Sequence, residues 1–86
     1  MLLSQLPNGL RALVARVVPS SSNREVGEAT LRRLAELGFI AGEPVQVLRR
    51  GPGNREPLAV QIGESLFALR LLEAQCIEVV PEALVG

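Results

Sequence analysis

The stretch Leu34-Ala35-Glu36-Leu37-Gly38-Phe39-Ile40-Ala41-Gly42-Glu43-Pro44-Val45 limits the folds open to this chain more than any other. A helical repeat stops at one glycine, two apolar residues follow, and a second glycine stands just before a strand. Gly38 falls where a left-handed residue ends a helix, a position that favours glycine because it has no Cβ. In the Schellman form of that ending, the next residue packs on the one five positions back, here Phe39 on Leu34. Phe39 therefore reads first as a staple at the helix end and only second as a binding residue. Ile40-Ala41-Gly42-Glu43 then fits a type II turn, with Gly42 at the position that needs positive φ. The corner delivers a helix directly into a strand, so the fold must mix the two.

The surrounding sequence supplies short strands. Residues 9 to 18 are rich in β-branched side chains and open after the turn signal Pro7-Asn8-Gly9. Ser22 and Glu25 have capping-box spacing. Leu31, Leu34, Ala35 and Leu37 then keep helical spacing to about residue 37, and Gly27 weakens the first turn enough to move the start to about residue 27. Val45 to Arg50 reads as a strand, 51 to 57 as a polar hairpin loop, and Leu58 to Ile62 as another strand. Gly63-Glu64 suits a two-residue hairpin turn, Leu66 to Arg70 runs back, and Leu71 to Gln75 is long enough for only a 3-10 turn. Cys76 to Val80 is the last strand, closed by Pro81. The expected fold is mainly β: a small five-stranded SH3-like barrel with one helix between strands 1 and 2 and a 3-10 turn before strand 5. Barrel closure removes the exposed sheet edges of so small a β domain.

With 86 residues, the chain has room for a single domain spanning 1–86 and little stability to spare. Phe39 and Phe67 are its only aromatic residues, so Leu, Val, Ile and Ala must make the core. All nine cations are Arg and all nine anions are Glu, which reads as a composition bias of the source genome. A net charge of zero argues against a nucleic-acid surface, which needs a basic stripe. No apolar run approaches the roughly 18 residues of a spanning helix, and the first residues lack the charge and apolar core of a signal peptide. A lone cysteine, Cys76, cannot form an internal disulfide, so the cytoplasm is the expected compartment.

Chemistry is sparse. Without histidine there is no His-based general base or triad. With one cysteine and neither histidine nor aspartate, a structural zinc site of the usual spacing is excluded. Catalytic residues, metal ligands and cofactors are all read as none; scattered glutamates at a weak oxygen-ligand site are the alternative for a divalent cation. Cys76, among apolar residues, reads as a buried small hydrophobe. Gly51-Pro52-Gly53 lacks the Lys and Ser/Thr of a phosphate loop. The candidate contact residues are Ile40, Arg32, Arg33, Arg49 and Arg50. If Phe39 turns inward, Ile40 faces out at the corner that the two arginine pairs flank in sequence. Solvated faces for the arginines, and a barrel plug for Ile40, are the plainer readings. Proline-rich peptides are not the expected target, because their grooves are lined by Tyr and Trp, which this chain lacks.

The ordered set Leu34-x-x-Leu37-Gly38-Phe39-Ile40-x-Gly42, Val45-x-Val47, Pro57-Leu58-Ala59-Val60 and Ala68-Leu69-Arg70-x-x-Glu73-Ala74-x-x-Ile77-x-Val79 resembles the FeoA family. Leu6-x-x-Gly9 fits as well, so the match runs from about residue 3 to residue 80. The family turn often carries Pro before the glycine; here Ala41 precedes Gly42, which leaves the corner less rigid. The resemblance implies a small cytoplasmic SH3-like protein of bacterial ferrous iron uptake. It would act without catalysis on the cytoplasmic GTPase region of the membrane transporter FeoB. The alternative is a stand-alone relative of the SH3-like domain of iron- or manganese-dependent repressors. Small barrels with an apolar corner often pair, so a homodimer is a further expectation; direct contact with nucleic acid or insertion into a membrane is not expected.

Overall fold

Five antiparallel strands form one sheet in a computed structural model that describes residues 1–19 and 27–84. They are β1 (Arg11–Val17), β2 (Pro44–Gly51), β3 (Arg55–Ile62), β4 (Ser65–Leu69) and β5 (Ile77–Pro81), in the order β4-β3-β2-β1-β5. Helix α1 (Glu28–Leu37) joins β1 to β2, and the single turn α2 (Leu71–Ala74) joins β4 to β5. Short 3-10 turns lie at Leu3–Gln5, Pro52–Asn54 and Glu82–Leu84. This is the expected mainly β, SH3-like layout. The Ser22–Glu25 cap lies outside the described residues, while α1 begins after Gly27, as the weakened first turn suggests.

The strands form because their side chains alternate. Ala12 and Val14 of β1, Val45 and Val47 of β2, Leu58, Val60 and Ile62 of β3, and Ile77 and Val79 of β5 are buried, with exposed or half-buried residues between them. Leu3 and Leu6 from the first turn, Leu34 from α1, and Ala74 and Cys76 around α2 join the same core. Phe39 and Phe67 meet there with ring centroids 6.4 Å apart and planes tilted by 49°.

Three regions refine the sequence reading. The hairpin after β2 is shorter than the 51-to-57 loop: Gly51 already pairs with Arg55, because Pro52-Gly53-Asn54 turns tightly with Gly53 at φ 73°. The turn before β5 mixes two spacings. Glu73 N–H to Arg70 O and Cys76 N–H to Glu73 O are three-residue bonds, while Ala74 N–H to Arg70 O and Gln75 N–H to Leu71 O are four-residue bonds. Finally, the ladder stops at a seam: β4 and β5 are the ends of the sheet, linked in sequence by α2. The outer edge of β5 is covered by the N-terminal residues, through a Leu2–Glu78 bridge and a Val79 N–H to Met1 O bond of 2.8 Å.

Two expectations follow from this framework. Gly51 has no room for a side chain, since a Cβ there would lie 2.5 Å from the Glu56 carbonyl oxygen. Gly51→Ala should therefore destabilise the domain by roughly 1–3 kcal/mol, read from urea unfolding. On β1 and β5, Arg16 lies opposite Glu78 and donates to its carboxylate. That hydrogen bond holds Glu78 below its ordinary pKa. Ionised Glu78 thus contributes stability above its unfolded-state pKa, and the contribution fades as pH falls through the lower folded value. Both groups are solvent-accessible, so the clean readout is an NMR titration: Arg16→Gln should raise the Glu78 pKa, and no change would contradict the pairing.

Candidate functional site

The corner between α1 and β2 is built as the sequence indicates. Gly38 is left-handed at φ 115°, its N–H donates to Ala35 O at 3.1 Å, and the Phe39 N–H donates to Leu34 O at 3.1 Å. These are the two bonds of a Schellman ending. Phe39 turns into the core, 1% exposed, alongside buried Leu34. The next turn is closed by Glu43 N–H to Ile40 O at 3.1 Å, with Gly42 at φ 90°, as a type II turn requires. Two further bonds fasten this turn to β1: Gly42 N–H to Val14 O at 2.8 Å and Val14 N–H to Glu43 O at 2.9 Å. Ile40 is left half in solvent, 50% exposed, on a backbone held from both sides. It does not plug the barrel.

The four candidate arginines do not gather around it. Arg32 is exposed on α1 and forms no ion pair with another described residue. Arg33 pairs with Glu73 of α2, tying α1 to the far side of the chain. Arg49 and Arg50 sit at the opposite end of β2 from the corner, a strand length of about 15 Å or more at 3.3 Å per residue. Arg50 is committed internally: it donates to Asn8 Oδ1, and at 3.0 Å each to Ser4 O and Leu6 O, fixing the first 3-10 turn to β2. Arg49 stays exposed and without a carboxylate among the described residues.

Glu73 entered the sequence analysis only as part of the family pattern and not as a site residue. It is 8% exposed and serves two donors at once, the Arg33 guanidinium through Oε2 and the Arg70 N–H at 2.8 Å through Oε1. The second bond had a local signal, a glutamate three residues after the start of a short helical turn. The first had none, since its partner lies 40 residues away. Among the described residues no group of three His, Cys, Asp or Glu side chains is placed to hold a metal ion, and no helix is long and apolar enough to cross a membrane.

Comparison with known proteins gives a consistent picture. The model of the FeoA domain family matches residues 1–81. The crystal structure of Stenotrophomonas maltophilia FeoA in complex with zinc, described as a procaryotic SH3 domain protein, is 44% identical with a TM-score of 0.79 over 93% of this chain and 89% of that one. FeoA from Chlorobium tepidum is 34% identical, TM-score 0.78, over 95% and 70%. A manganese-dependent transcriptional repressor is 25% identical, TM-score 0.74, with 94% of this chain covering 41% of that one. Comparison with curated protein sequences finds no match.

The geometry separates surface from scaffold by substitution. Ile40→Arg should leave the melting temperature within about 2–4 °C of wild type, as an exposed position allows; a much larger drop would show that Ile40 carries packing. Glu73→Ala removes an acceptor from two donors and should cost roughly 1–3 kcal/mol in denaturant unfolding. Arg33→Ala should cost less, because water reaches its guanidinium.

Proposed function

The chain belongs to the FeoA family, and on that premise we propose that it is a cytoplasmic, non-catalytic accessory protein of ferrous iron uptake that acts by contact with the cytoplasmic GTPase region of the FeoB transporter. The observation that carries this reading is the family match over almost the whole chain, joined to a fold shared with FeoA proteins. The described residues support action by contact: apolar Ile40 and Leu66 and cationic Arg32 and Arg49 are among the exposed side chains. The Ile40 corner is one proposed contact point. An apolar tip on a turn tied to β1 by two backbone bonds loses little conformational entropy on docking, and Arg32 lies on the helix that leads into it. Iron in this reading is the cargo of the partner.

A second reading, a stand-alone relative of the repressor SH3-like domain, draws on the likeness to the manganese-dependent repressor. The neutral charge weighs against DNA control by this chain itself. Among the described residues, α1 is followed by a strand and not by a second helix, so the two helices do not make a helix-turn-helix.

Calorimetry with the purified FeoB GTPase region tests the first reading. Wild type should bind, and Ile40→Arg should abolish binding and iron-dependent growth support while the protein stays folded. Wild type that co-purifies with a metal-dependent repressor and not with FeoB would favour the second reading. Anaerobic titration with ferrous iron should give only weak binding, because His and paired Cys ligands are missing. A stoichiometric site of micromolar affinity or better would contradict it.

A further inference from the structure

The solvent face of the sheet is not uniform. An antiparallel sheet with one face on the core ordinarily shows polar residues on the other. One cross-strand row obeys this as far as β3: Arg11 lies opposite Gln46, and Gln46 opposite Gln61, before Leu66 ends the row on β4. The neighbouring row does not. Arg49 lies opposite Ala59, and Ala59 opposite Ala68. Pro57 precedes Ala59 by two residues on β3, so it shares that face, and Leu66 precedes Ala68 by two on β4. Leu66 is 62% exposed. Arg49, Pro57, Ala59 and Ala68 line one open groove of about 600 Å³. Its floor is made of small side chains, which leaves depth for the side chain of another molecule.

The charge around this groove is predominantly positive. The ion pairs among the described residues take up Arg11, Arg16 and Arg33. Arg49, Arg55 and Arg70, all at the groove end of the sheet, pair with no described carboxylate. The β3–β4 ladder ends at Leu58–Leu69, and Arg70 follows directly on Leu69. The carboxylate there, Glu56, accepts the Leu71 N–H at 3.2 Å. An apolar floor with a cationic rim is complementary to an acidic segment that presents an apolar side chain. A second copy of this chain fits poorly. A two-fold contact would set the same patch against itself, arginine facing arginine.

We propose that this β3–β4 face, separate from the Ile40 corner, docks an acidic, apolar-anchored segment of the partner's cytoplasmic region. The inference rests on the accessory reading above. The apolar anchor fills the space over Ala59 and Ala68, and Arg49 and Arg70 pair with the flanking carboxylates. Ala68 and Arg49 are exposed, so their substitution tests the face without opening the core.

The test is calorimetry against the FeoB GTPase region with wild type, Ala68→Glu, Arg49→Glu and Arg49→Lys, each checked for native circular dichroism. The two glutamate variants should bind at least about tenfold more weakly, Arg49→Lys should stay within about threefold of wild type, and wild-type affinity should fall with added salt. Should a variant fail to fold, amide shift mapping on wild type gives the same decision: shifts at Ala59, Leu66 and Ala68 support the face, and shifts confined elsewhere overturn it. Wild-type binding that both glutamate variants retain would overturn the groove and leave the accessory reading standing. No wild-type binding would overturn both. Self-association of wild type, lost in Ala68→Glu, would make the face an interface between copies and overturn the proposal.

Discussion

The reversal at Gly38 is the constraint on which the rest of the molecule depends. A left-handed residue there closes α1 with two backbone bonds and sends Phe39 inward. In a chain with two aromatic residues, placing one of them settles much of the core. Phe39 is the largest fully buried side chain, and its ring meets Phe67 on β4, at the far end of the sheet from β5. One glycine thereby couples the end of the helix to packing across the barrel. The following turn hands the direction of β2 to β1 through the Val14 bonds, so the corner is held by the sheet it starts.

Charged side chains then fasten the parts that the ladder does not reach. Arg50 holds the first 3-10 turn onto β2, and that turn brings Leu3 and Leu6 into the core. Arg33 and Glu73 connect the two helices, and Glu73 also caps the turn that crosses the seam between β4 and β5. A domain of this size has little stability in reserve, so such ties matter more for which surface stays in register than for the total.

What could be read from the sequence divides along the same line. The corner was legible, cap, staple and type II turn together, because each signal lies within a few residues of its effect. The alternating strands and the single turn before β5 were legible for the same reason. The arginine pairs were not. Arg32-Arg33 and Arg49-Arg50 look alike as dipeptides, yet within each pair one side chain has a fixed partner among the described residues and the other has no described carboxylate partner. The deciding partners, Glu73 for Arg33 and Asn8 for Arg50, lie 40 and 42 residues away. The hairpin after β2 was read too long because a polar, Gly- and Pro-rich sequence looks the same whether it closes in three residues or seven. The apolar outer row escaped notice because it exists only in register: Ala59 and Ala68 are unremarkable until the ladder sets them side by side.

A barrel of this type without Tyr or Trp has to make contact by other means. Aromatic grooves recognise extended peptides with flat, rigid surfaces. Here the large exposed apolar side chains among the described residues carry no rings, Ile40 on a turn and Leu66 on the end strand being two of them, and the charged cationic side chains are all guanidinium groups. Arginine partly compensates for the missing rings. Its planar group is weakly hydrated and forms paired bonds with carboxylates, so it tolerates burial at an interface better than lysine does. Small residues beside it serve the same end, since Ala59 and Ala68 let a partner's side chain come close to the sheet. In the proposed docking, the partner supplies the large apolar groups and the negative charge, while this chain supplies shape and cations.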